Sequence, residues 1–241
     1  MTSRKRRNLL VLAGVALVGV LAVGGFGIWY LFFRPAGPAA VEGKAPVFPA
    51  ASVPAPASLD GEWQVSTSLG SMSDFSASWV GYRVQEKLAS IGANTAVGRT
   101  AGVSGSMTVS GTTVTAVTIT ANLTGLQSND PNRDGQLSRQ AIETAKYPTA
   151  SFATTQPIDP GSLPADGKVV RVTATGTLTL HGVTRTVQIP LSVERRGGII
   201  AVTGSLEIVF ADYQIVPPSS FAVLSVDDHG TMELHILFTH A

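Results

Sequence analysis

Between residues 130 and 141 the chain carries Asp130, Asn132, Asp134 and Gly135 at the spacing of the first half of a calcium-binding loop. Oxygen ligands at loop positions 1, 3 and 5 and the turn glycine at position 6 are in place. Position 12 is Ala141, so the closing bidentate carboxylate is missing, and Glu143 comes two residues late. Four histidines remain as groups for chemistry near neutral pH: His181, His229, His235 and His240. Glu233 and His235 share one face of an alternating segment, but two ligands without a third are weak support for a metal site. They are expected to be solvated surface residues. His181 ends a long alternating run and opens His181-Gly182-Val183-Thr184, so it either pins a turn or faces a ligand. Asp134 and His181 make an acid–base pair only if folding brings them within hydrogen-bond reach. The chain has no cysteine, which excludes disulfides, thiolate nucleophiles and Cys-ligated metals. No nucleophile elbow, phosphate-binding loop, dinucleotide fingerprint or zinc-protease helix occurs. No catalytic residue, cofactor or metal is expected.

These residues need elements to place them, and from Leu59 onward the apolar period is two. Residues 117–123, 170–180, 187–193 and 232–238 alternate apolar and polar side chains, with Leu237 the exception. Each reads as a strand with one wet and one buried face. Further strands are expected near 61–67, 74–86, 97–109, 149–156, 199–210 and 212–216. Turns are expected at Gly111, Asp166-Gly167 and Gly197-Gly198. Only residues 137–146 read as helix, ended by Tyr147-Pro148. Eight to ten such strands make a closed barrel or a two-sheet sandwich. Small inward residues (Gly105, Ala121, Ala174, Gly176, Gly204) favour a barrel with room inside.

Residues 1–58 hold six Lys or Arg and one acidic residue; residues 59–241 hold eleven Lys or Arg and fifteen Asp or Glu. A mildly acidic domain argues against nucleic-acid binding. Arg4-Lys5-Arg6-Arg7 precedes an uncharged apolar run over residues 9–33, and at ~1.5 Å per residue this run exceeds the ~30 Å hydrocarbon core. The expected organisation is a cytoplasmic basic tail (1–8), a transmembrane signal anchor (9–33) with a cleaved signal peptide as the alternative, a Pro/Ala-rich linker (34–58) and a β domain (59–241). The basic tail places that domain outside the cell membrane in a single-pass topology. Six of the fourteen prolines lie in the linker. Fully extended at ~3.1 Å per residue, it would hold the domain up to ~75 Å from the bilayer.

Two blocks then carry a family likeness. Arg133-Asp134-Gly135-Gln136-Leu137 running on to Lys146-Tyr147-Pro148-Thr149-Ala150-Ser151-Phe152, and Gly176-Thr177-Leu178-Thr179-Leu180-His181-Gly182-Val183-Thr184, together resemble the signature of the bacterial YceI-like family. Gly61-Glu62-Trp63, the segment from Gly81 to Glu86, and Phe210-Ala211-Asp212-Tyr213 followed by Val226-Asp227-Asp228 fit the same pattern, so the resemblance covers residues 59–241. One departure is Gln140-Ala141-Ile142, where family members usually carry aromatic residues.

The resemblance implies a lipocalin-like antiparallel β-barrel, all-β with one short helix, that holds a polyisoprenoid or other long-chain lipid. In that reading Tyr82, Val117, Ile119, Leu123, Phe152, Val172, Leu178, Leu206, Ile208, Phe210, Leu234 and Ile236 line an apolar cavity. Arg133, Asp134, His181 and Asp212 form a polar mouth. The partners are a membrane and the lipid, with a homodimer left open. Two alternatives remain: a barrel hydrolase or isomerase using Asp134 and His181, and a structural β-sandwich without a ligand.

Overall fold

The computed structural model describes residues 37–89, 92–161, 163–218 and 223–241. The basic tail and the apolar run at 9–33 lie outside the described residues. Among the described residues no helix is long and apolar enough to cross a membrane.

The period-two segments become eleven strands: β1 (Gly61–Val65), β2 (Trp79–Leu88), β3 (Gly92–Thr100), β4 (Val103–Ser110), β5 (Thr113–Asn122), β6 (Thr149–Thr154), β7 (Val169–Leu180), β8 (Val183–Arg196), β9 (Ile199–Val209), β10 (Val223–Val226) and β11 (His229–His240). Every pairing between them is antiparallel. The ring runs β1-β4-β5-β6-β7-β8-β9-β11 and closes because β1 also pairs with β11. Eight strands in a closed ring decide for the barrel over the sandwich. β2 takes the edge of β11 at residues 231–235, beyond the short β1, and carries β3 and β10 with it. The end with the turns at Gly111 and Gly197 is called proximal below. The end with the β2–β3 and β7–β8 turns is called distal.

Several boundaries differ from the sequence reading. The segment 97–109 is two strands, broken at Ala101-Gly102, so that β3 pairs with β2 while β4 pairs with β1. Residues 212–216 are not a strand; Phe210–Tyr213 is a 3₁₀ turn. The helical stretch starts and ends earlier than expected. Pro131 pre-sets the first turn of α1 (Pro131–Gln136), and the Asp130 carboxylate accepts from the backbone N–H of Asn132 at 2.9 Å. A π-helical turn, Leu137–Ala141, follows it.

The barrel wall has a gap, and Pro190 explains it. β9 pairs with β8 only from Leu191 onward, leaving residues 183–190 without a β9 partner. Proline has no N–H to donate, so the ladder ends there. Residues 210–215 fill the opening: Tyr213 and Ile215 pack with Val183, Val187 and Leu206.

The Pro/Ala-rich segment also differs from its expected role as a spacer. From Gly37 onward it forms no regular structure, yet it lies along the outer face of β3, β2, β11 and β9. Its carbonyls and amides are tied to the barrel: Pro38 O accepts from Arg83 Nη2 (2.6 Å), Val41 N–H donates to Glu233 Oε1 (3.2 Å), and Val53 O accepts from the Gly198 N–H (2.8 Å). Phe48 and Val53 pack on Ile199, Ala201 and Leu237, the outward residues of β9 and β11. This cover is why Leu237, the one break in the alternation of β11, is fully buried.

Candidate functional site

The inward faces of the strands enclose two adjoining apolar cavities of about 140 Å³ each. Val80, Ala150, Leu178 and Met232 line both, so together they run along the barrel axis. Of the residues expected inside, Val117, Ile119, Phe152, Val172, Leu234 and Ile236 line the proximal lobe. Tyr82, Leu123, Ile208 and Phe210 line the distal lobe. Leu206 lies on neither wall; it packs against the residues that fill the β8–β9 gap. The small residues divide by role. Ala121 and Ala174 do border the proximal lobe. Gly176 instead lies under the Phe152 ring, where a Cβ would meet ring atoms at 2.6 Å, and a Cβ on Gly105 would run into the Thr118 carbonyl. Those two glycines serve close packing of the wall rather than free space.

The distal lobe has one polar side. Arg133, carried by α1, reaches Glu86 of β2 at 2.8 Å, and both side chains are largely buried. Arg133 Nη1 also donates to Asn129 Oδ1 at 3.0 Å, and Glu86 accepts from Asn94 of the neighbouring β3. Beside them the Tyr82 hydroxyl is buried, with Ser128 as its near neighbour. Burial raises its pKa above the ordinary value, with Arg133 pulling the other way. Glu86 was missed at the level of sequence, although a signal was present. Val80, Tyr82, Val84 and Glu86 alternate on one face, and a carboxylate in the inward register asks for a buried partner.

The other three residues of the expected polar mouth do other work. Asp134 accepts from the Ser128 backbone N–H with both oxygens, at 3.0 and 3.1 Å, and holds the loop before α1. It borders only a shallow groove beside that helix. Asp212 is exposed, and its backbone carbonyl, not its carboxylate, accepts from Arg185 Nε at 3.1 Å. His181 is buried at a left-handed φ of 51°. Its Nδ1 is 3.0 Å from Tyr213 O, its Nε2 is 2.9 Å from Glu143 Oε2, and its ring meets Tyr147 edge-on at 4.4 Å. It therefore holds residues 210–213 in the β8–β9 gap, a contact far along the chain rather than within its own turn. Asp134 and His181 share no hydrogen bond among the described residues; each is held by other groups.

Glu233 and His235 are also not solvated: each is 1 % exposed. Glu233 pairs with Arg83 (3.2 Å) and Arg99 (3.5 Å). The Arg99 guanidinium lies 3.7 Å from the Trp79 ring centroid and 4.1 Å from that of Phe75. His235 stacks on Trp79, with Nδ1 2.8 Å from Ala77 O and Nε2 2.9 Å from Val47 O. Burial pushes its pKa below the usual 6.5. Residues 37–53 and the loop before β2 cover this cluster, and period-two reading of β11 alone does not reveal a cover supplied by another segment. Among the described residues no group of three or more His, Asp or Glu converges as a metal site.

A family profile described as the YceI-like domain matches residues 70–238. The chain belongs to the YceI-like family. Among its relatives by sequence, a UPF0312 protein of Vibrio campbellii is 33 % identical over 131 residues and one of Vibrio parahaemolyticus is 31 % identical over 131 residues. The match covers 50 % of this chain and 60 % of each of those proteins. The fold is similar to a solved structure described as a polyisoprenoid binding domain from Saccharophagus degradans implicated in plant cell wall breakdown. The TM-score is 0.57 at 18 % identity, over 75 % of this chain and 98 % of that one.

Proposed function

We propose that this YceI-like barrel binds a polyisoprenoid or another long-chain lipid at the cell envelope, for carriage or storage, and is not an enzyme. The observation that carries the reading is the apolar interior: two adjoining lobes with shared lining residues and with charged groups confined to the distal wall. Burial of an alkyl or isoprenoid chain there is driven by removal of apolar surface from water, at roughly 25 cal/mol per Å². The Tyr82 hydroxyl and Arg133 in its pair with Glu86 orient the polar end of the ligand. The polyisoprenoid-binding neighbour supports the ligand class, since the fold is shared. The basic tail and the apolar run at 9–33 support a single-pass anchor with the barrel outside the cell. The enzyme reading loses its chemistry here, because Asp134 and His181 are each engaged elsewhere.

Native mass spectrometry of the full chain, released from detergent micelles, tests the proposal. The expected result is a co-purifying hydrophobic adduct at one per chain. A chain that carries no adduct and takes none up when offered a long-chain polyprenol overturns it.

A further inference from the structure

Because residues 37–58 are laid on the barrel, they give it no free tether. Gly37 sits against Val97 of β3, where a Cβ would be 3.1 Å from the valine side chain. Pro38 and Ala39 are already bonded to Arg83 and Arg99. Val97 pairs with Arg83, five ladder steps from Leu88 and Gly92 at the base of the distal β2–β3 turn. The chain thus comes onto the barrel near its distal end and crosses toward the proximal one.

Phe33, the last residue of the apolar run, is four residues before Gly37. Four residues span at most about 14 Å. On the reading of 9–33 as an anchor, which this inference shares with the proposed function, the barrel is held against the bilayer on the side where Gly37 lies.

That end also carries the most exposed large apolar side chains among the described residues: Val216 at 69 % and Leu224 at 60 %. They alternate with cavity residues. Ile215, Pro217, Pro218 and Val226 line the distal lobe, so its rim and the exposed pair belong to the same segments. Leu224 lies in β10, which pairs with β2 beside that turn. Charge does not make this a site for anionic lipid. Exposed Asp227 and Asp228 adjoin β10 and offset the exposed Lys87 of β2.

We propose that the distal end of the barrel rests on the surface of the bilayer that anchors the chain. Val216 and Leu224 enter its interfacial layer, and the distal lobe faces the lipid. The face takes zwitterionic or uncharged headgroups. A lipid then passes between bilayer and cavity without crossing open water.

The absence of cysteine makes the test direct. Val216→Cys, Leu224→Cys and, at the proximal end, Val169→Cys (41 % exposed in the native chain) are each labelled with an environment-sensitive fluorophore. The full chain is then reconstituted into phosphatidylcholine vesicles with or without brominated lipid. The expected result is a blue shift and bromolipid quenching at 216 and 224, and neither at 169. If all three labels report water while the chain stays with the vesicles, docking is overturned and the anchor stands. If the chain fails to stay with the vesicles, the anchor fails and docking falls with it.

Discussion

Two side chains separate binding from architecture. Tyr82 lines the distal lobe with its hydroxyl buried beside Arg133, Glu86 and Ser128, and a ligand oxygen there adds a hydrogen bond to that group. Tyr82→Phe is expected to leave the melting temperature of the delipidated chain nearly unchanged. It should weaken lipid retention by about 0.5–1.5 kcal/mol, roughly two- to tenfold. Equal retention by both proteins would mean that no ligand group uses the hydroxyl. His181 behaves in the opposite way. Its two hydrogen bonds and its contact with Tyr147 hold the segment that fills the β8–β9 gap. His181→Ala is expected to cost about 1–3 kcal/mol of stability and to leave the bound lipid in place. An unchanged melting temperature with lost lipid would restore it to the headgroup site. Arg133 was legible because the Arg-Asp-Gly block resembles a family motif. The role of Asp134 was not, since its partner is a backbone N–H that sequence does not display.

At the scale of elements, the alternation was enough to find most strands and the inward residues. Period two fixes which face of a strand is buried against the barrel interior. It says nothing of the outer face, and there the reading failed. Residues 37–58 look like a spacer by composition, yet their backbone N–H and carbonyl groups and few apolar side chains cover Glu233, His235 and Leu237. The split of residues 97–109 into β3 and β4 was hidden for a related reason: Val97 faces outward under the covering segment while Val103, Met107 and Val109 face inward, so one odd-numbered apolar series in sequence spans two faces. The cover has a pH signature. The folded pKa of His235 lies below its usual 6.5, chiefly through burial. Above that value the histidine is neutral in both the folded and unfolded states. As pH falls through 6.5 the unfolded chain takes up the proton first, so stability falls toward the lowered folded value. His229 runs the other way, its pKa raised by a hydrogen bond to Asp228, but it is exposed to solvent. Thermal melts at stepped pH are expected to show a loss below about pH 6.5 that is smaller in His235→Gln. An identical pH slope in that variant would remove the buried histidine from the account.

For the whole molecule, one ring of eight strands serves two faces. Its interior holds two adjoining cavities, largely apolar, that share four lining residues. Part of its exterior is sealed by the chain's own Pro/Ala-rich segment. The family likeness brought out the first, and only the three-dimensional path of residues 37–58 brought out the second. The central claim is that lipid occupies the axial cavity rather than the surface. Met232 lies where the two lobes meet, so a larger side chain there blocks the passage between them. Native mass spectrometry of the wild-type chain beside Met232→Trp, with circular dichroism to show that both are folded, is the direct measurement. The expected result is one lipid adduct on the wild type and a lost or much shorter one on the folded variant. The same adduct at the same occupancy on both proteins would contradict an axial site.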